Sequence, residues 1–230
     1  KNISQLIAAL DMNNLMIEGG SGRQSVQNIE DANLKRVLFD LPRYYQGNKN
    51  ICWEAAAWST GSYLTKDNSL SPTEIVIKLT GKDDATGYPS DEINALHFFK
   101  YSETNFYVNG IYEKKFSNAY FMSLLDLGIP FLVRLSVPSI PELQFGVKEN
   151  SIGHTVAACG YLYSNYLEEI FVQDSAFNRI NVLRPGPVGV FRYSEFNDGP
   201  RDLTGFVYPT GLQSNDGGNT WYYIDSDSVT

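Results

Sequence analysis

The sequence predicts an α+β fold, with a helical part over about residues 41–128 and an antiparallel β-sheet or half-barrel over about residues 129–224. Three observations predict it. Helix-boundary residues, such as Ser71-Pro72-Thr73-Glu74 and Ser117 with Gly128, fall in the first part. Strand-like runs bounded by turn formers, Phe131–Val137 the clearest, dominate the second. The chemistry divides in the same way: Cys52-Trp53 opens an alanine-rich helix, whereas His154 opens a strand. Residues 41–230 thus read as one domain, and residues 1–40 as an extension that is a brace, a propeptide remnant or a partner-binding arm, with a brace the reading taken.

In chain order, Ile3–Leu10 carries apolar residues at helical spacing, and Glu30–Leu38 repeats the pattern before Leu41-Pro42. The helix from Cys52 takes Asn48 or Asn50 as its cap and Glu54-Ala55-Ala56-Ala57 as its first good helix formers. Lys66–Asn68 is a loop. Ser71-Pro72-Thr73-Glu74 is a capping box opening a helix over about 72–79 that stops near Gly81. After a polar loop, Ser90-Asp91-Glu92 starts a helix bearing Ile93, Leu96 and His97, with no catalytic role for His97. A strand is expected within Thr104–Tyr112, and a helix over Ser117–Leu127. Strands follow at Phe131–Val137, Gly153–Tyr161 and Ile170–Asp174, the last two joined by a hairpin turn over Ser164–Glu169. Shorter strand pieces are read at Gly189–Tyr193, Leu203–Tyr208 and Trp221–Ile224.

Composition narrows the function classes. Hydrophobic residues make up 43% and charged residues 19%, the balance of a globular domain with a sizeable core. A net charge of −8 argues against nucleic acid or an anionic membrane as the main partner. No apolar run is long enough to span a bilayer. The 2 cysteines, Cys52 and Cys159, make no disulfide framework, and together with His97 and His154 they show no zinc spacing. No cofactor is implied.

The reactive residues have a physical logic. A thiolate is the nucleophilic form of cysteine, and the unpaired N–H groups and dipole of a helix N-terminus favour it at Cys52. Gln46, six residues upstream, can turn an amide N–H toward a developing oxyanion beside the Cys52 N–H. His154 can take the thiol proton and later return one to a leaving group. If the strands around it pair as a hairpin, Asp174 comes to the same end of the sheet and can hold the imidazole tautomer. Alternation puts His154, Val156 and Ala158 on one face and Cys159 on the other, which argues against a Cys52–Cys159 bridge.

Gln46-x5-Cys52-Trp53, Gly153-His154 opening a strand, and Asp174 ending the next, in that order, resemble the papain-like cysteine peptidases. The similarity is closer to compact bacterial branches, among them secreted and effector peptidases and the staphopains, than to plant papains. Papains and staphopains usually carry Asn where Asp174 stands. The resemblance implies a nucleophile at Cys52, a general base and acid at His154, an orienting group at Asp174 and an oxyanion donor at Gln46. It further implies cleavage of peptide or protein substrates, a bacterial source with a virulence or toxin role, and secretion or delivery into a target cell. Two other readings share the same residues: a glutamine deamidase or transglutaminase, and a non-catalytic binding module using the loops 138–150 and 209–220.

Overall fold

Strand β4 (Ile152–Ser164) is the spine of the sheet. Its first half pairs antiparallel with β3 (Phe131–Val137), from Val137↔Ile152 to Phe131↔Ala158. Its second half pairs on that side with β1 (Lys35–Leu38), and along the other side with β5 (Leu167–Asp174). This is a computed structural model that describes residues 34–101, 107–115, 117–137, 152–164, 167–185, 190–193, 200–210, 212–213 and 222–223. The chain divides into two units, Lys1–Ala32 and Asn33–Thr230, and every described residue belongs to the second. The expected helix at Ile3–Leu10, the loop 138–150, most of the loop 209–220 and Trp221 lie outside the described residues.

The remaining elements follow in order: helices α1 (Cys52–Thr65), α2 (Pro72–Thr80) and α3 (Pro89–Leu96), strand β2 (Asn109–Glu113) and helix α4 (Asn118–Asp126). After β3–β5 come β6 (Arg179–Pro185), β7 (Val190–Tyr193) and β8 (Pro200–Thr210), with a separate small pair, β9 (Leu212–Gln213) and β10 (Tyr222–Tyr223). The pairings β3–β4–β5–β6–β7–β8 return to β3, so these strands form a closed antiparallel circuit. Strand β2 adds to β8 from outside that circuit. The fold is therefore α+β, an antiparallel sheet with α1–α3 between its strands β1 and β2 and α4 between β2 and β3. Among the described residues, no helix is long and apolar enough to cross a membrane.

Local chemistry explains the helix ends. Ser71 and Glu74 close a reciprocal capping box with Pro72 in the first turn, and Gly81 ends α2 in the left-handed conformation at φ 75°. Ser117 accepts the Tyr120 N–H at 3.2 Å to start α4. Helix α1 is different: eleven of its fourteen residues are buried, as expected for a helix packed on several sides. Its interior hydroxyls bond back along the helix, Ser59 to the Ala55 carbonyl at 2.9 Å and Thr65 to that of Gly61 at 2.8 Å. Helix α4 packs over the sheet through an aromatic trio. The Phe121 ring lies 4.6 Å from Phe131 and 4.9 Å from Phe206, the latter edge-on.

Three local readings are corrected. Lys35–Leu38 is not the end of a helix but strand β1, in register from Lys35↔Tyr163 to Leu38↔Gly160. The Phe39 N–H continues this pairing onto the Cys159 carbonyl at 2.7 Å. A partner more than a hundred residues away selects strand over the local helical pattern. The hairpin turn is shorter than read, since the ladder already pairs Ser164 with Leu167. The alternation read through Cys159 also fails. Ala158 faces Val172 while Gly160 faces Phe171, so a bulge at Cys159 resets the faces of β4. The cysteines are nevertheless both free.

Candidate active site

Helix α1 begins at Cys52, with Ile51 in the cap position and no side-chain cap. The expected caps act elsewhere: the Asn50 N–H goes to Asp84 Oδ1 at 2.7 Å, and Asn48 makes no cap bond to the helix. The first intrahelical bond is Ala55 N–H to the Ile51 carbonyl, 2.9 Å, so the N–H groups of Cys52, Trp53 and Glu54 precede the helical ladder.

The next residue fixes the helix end in place. Trp53 is 2% exposed, and its indole N–H donates to the Ala85 carbonyl at 2.7 Å. Gly87 lies flat against that indole, where a Cβ would stand 2.4 Å from the ring. Only glycine lets the loop approach so closely. Ala55, Ala56 and Ala57 are all buried, and their small side chains let α1 approach its neighbours closely.

The β5 end brings the other groups in. His154, near the start of β4 and opposite Leu135 of β3, is 13% exposed. Its Nε2 lies 3.0 Å from Asp174 Oδ2, at the last residue of β5. Asp174 is fully buried, and its Oδ1 accepts the Ala176 N–H at 2.8 Å, which fixes the carboxylate plane. On its other side Cys52 acts on the ring and favours its charged form, and with Nε2 given to Asp174 the nitrogen left for the thiol is Nδ1. Burial works against a charge on the ring. The bond to Asp174 and the neighbouring Cys52 together outweigh it and raise His154 from 6.5 to about 10, so the imidazolium persists across the neutral range.

Gln46 joins this group through the residue after Asp174. Its N–H donates to the Ser175 carbonyl at 3.1 Å, and its Oε1 accepts the Ser175 hydroxyl at 2.5 Å. Its Nε2 donates to the Lys49 carbonyl at 2.8 Å. A carbonyl can only accept, so the amide orientation is determined, and the second N–H of Nε2 remains beyond the Lys49 bond. Gly47, at φ 62°, makes the tight turn that lets residues 46–49 fold back in this way.

Cys52, His154 and Asp174 therefore come together at one place, and Gln46 is tied to the same strand end. Cys159 stays apart: buried, with its thiol donating to the Phe171 carbonyl at 3.4 Å, and pushed up to about 12 chiefly by that burial. His97 caps α3, is exposed, and lies 2.9 Å from Asn109 Oδ1. Sequence reasoning missed Ser175, whose only signal is adjacency to Asp174. It also missed the buried Glu54 and Glu92, the former legible only as a carboxyl inside an alanine-rich turn.

No family model and no curated protein matches the chain. Among solved structures it is similar to a digestive procathepsin L 3 from the larval midgut of Tenebrio molitor, at 12% identity and a TM-score of 0.49, over 81% of this chain and 72% of that one.

Proposed function

We propose that the protein is a papain-like cysteine endopeptidase that cleaves peptide bonds through Cys52, His154 and Asp174. The observation that carries this reading is the position of His154, bonded to Asp174 at 3.0 Å and near enough to Cys52 for that group to raise its pKa. That is the arrangement a thiolate–imidazolium pair requires. The Cys52 sulfur attacks the substrate carbonyl carbon, and the oxyanion is received by the Cys52 N–H and the second N–H of Gln46 Nε2. As the C–N bond breaks, His154 gives its proton to the departing amine nitrogen and leaves a thioester on Cys52. His154 then takes a proton from water, whose oxygen attacks the thioester. The acid leaves, and the sulfur departs as the thiolate beside a re-protonated ring.

The test is digestion of an unfolded protein substrate by wild type and Cys52→Ala, followed by mass spectrometry, with circular dichroism to check the fold. New chain termini with wild type and none with folded Cys52→Ala support the reading. Unbroken chains with ammonia released from glutamine would replace it with deamidation on the same residues. Equal cleavage by both proteins would overturn it.

A further inference from the structure

Beneath the catalytic end of α1 lies a second polar group that the proposed reaction does not use. Glu54, two residues after Cys52, and Glu92 of α3 both have no exposed surface. Glu92 Oε1 accepts from Arg134 Nη1 of β3 and from Thr155 Oγ1 of β4, the latter at 2.9 Å. The other three oxygens, Glu54 Oε1 and Oε2 and Glu92 Oε2, have no hydrogen-bond partner among the described residues. Two buried carboxylates, of which only Glu92 is bonded to the Arg134 guanidinium, would leave a net negative charge in the interior, and an uncompensated buried charge is among the costliest groups a fold can hold. One proton removes it.

The other charges around the pair do not supply the balance. Asp91, on the same helix as Glu92, adds a like charge and has its own bond to the Tyr88 N–H at 2.7 Å. On β5, Asp174 is engaged with His154, and His154 stands next to Thr155 on β4. On α2, Glu74 and Lys78 are exposed. Arg134 also donates to the Gly87 carbonyl at 3.3 Å. The cluster thus contacts the loop that packs on Trp53 and, through Thr155, the strand that carries His154.

We propose that Glu54 and Glu92 hold one proton between them in the folded protein, and that losing it as the pH rises unseats the first turn of α1 from β4 and α3, an alkaline shut-off built beneath the site. Glu54 carries the proton, because Glu92 has Arg134 and Thr155 to stabilise its anion and Glu54 has neither. The electrostatics agree. Burial, then the Glu92 charge, hold Glu54 well above the carboxylate range, and burial raises Glu92 to about 7 against the pull of Arg134 and Thr155.

Infrared spectroscopy reads the proton directly, since a protonated carboxyl has a carbonyl stretch that a carboxylate lacks. Wild type and Glu54→Gln are compared across pH, with the melting temperature measured on the same samples. The expected result is a protonated-carboxyl band in folded wild type at neutral pH that is lost in Glu54→Gln. In wild type the band and the melting temperature should fall together as pH rises, while the melting temperature of Glu54→Gln stays level. The activity arm rests on the peptidase reading: hydrolysis by Glu54→Gln extends further to the alkaline side, toward the limit near 10 set by His154. Absence of the band at neutral pH, or its survival in both Glu54→Gln and Glu92→Gln, overturns the proposal. If Glu54→Gln does not fold, the wild-type titration decides alone. A band that is retained and titrates, without hydrolysis at any pH, supports the shared proton and counts only against the peptidase reading.

Discussion

Ser175 grips Gln46 at two points, its carbonyl accepting the Gln46 N–H at 3.1 Å and its hydroxyl donating to Gln46 Oε1 at 2.5 Å. The strand end bonded to His154 therefore also aims the amide of Gln46. Removing the amide and removing its support should differ in size. Gln46→Ala is expected to lower kcat roughly 10²–10³-fold, the usual loss of an oxyanion donor. Ser175→Ala removes one neutral hydrogen bond of about 1 kcal/mol, so kcat should fall about fivefold with KM little changed. Steady-state kinetics on a peptide substrate check both, and an unchanged kcat in Ser175→Ala would remove the support role.

Asp174 cannot be replaced by Asn without loss in this chain. Its two oxygens serve two donors, Oδ2 the His154 ring and Oδ1 the Ala176 N–H at 2.8 Å. Asn has one oxygen and one NH2, so Asp174→Asn must turn a donor toward either Ala176 or His154. The His154 pKa should drop from about 10 toward its ordinary range, and hydrolysis should fall by about 10²-fold or more. An NMR titration of the ring reads the first effect. A ring still protonated at pH 9 in folded Asp174→Asn would refute this account.

The sign of the His154 contribution to stability is also determined. A histidine raised in the folded state contributes stability that is complete below its unfolded value of 6.5 and disappears as the pH passes through about 10. The difference in unfolding free energy between wild type and His154→Gln should accordingly shrink across that window, by on the order of a few kcal/mol. Urea unfolding at a series of pH values measures it. A difference that grew with pH would mean that the neutral ring is the favoured form.

Gly87 fills a space with no room for a methyl group. A Cβ there would stand 2.4 Å from the Trp53 ring, so the loop or the indole must move. Gly87→Ala should cost about 1–3 kcal/mol of stability. It should also lower the alkylation rate of Cys52, because Trp53 anchors the turn that presents the thiol. Calorimetry and timed labelling with iodoacetamide provide the two readouts, and a melting temperature equal to wild type would show that the contact yields freely.

The elements legible in the sequence were those whose cause is local. Ser71, Pro72, Glu74 and Gly81 announce both ends of α2, and the largely apolar run at Phe131–Val137, closed by Pro138, announces β3. What stayed hidden depends on distant partners. Residues 35–38 become a strand because β4 offers an edge, and the bulge at Cys159 appears only once β4 and β5 are set side by side. The same holds at the site. Cys52, His154, Asp174 and Gln46 could be named from residue types and order. That Ile51 leaves the helix uncapped, that Ser175 holds Gln46, and that Glu54 is buried beside Glu92 are consequences of packing.

The burial of Cys159 under the Phe171 carbonyl gives the chain an analytical property. Its thiol is raised to about 12 and shielded from solvent, whereas Cys52 is partly exposed. Toward a soluble electrophile under native conditions, a protein with two thiols should therefore behave as a protein with one. The moles of reagent taken up per mole of chain then count the molecules with a competent site in any preparation, with no substrate needed, and a second equivalent appearing on warming reports the opening of the sheet.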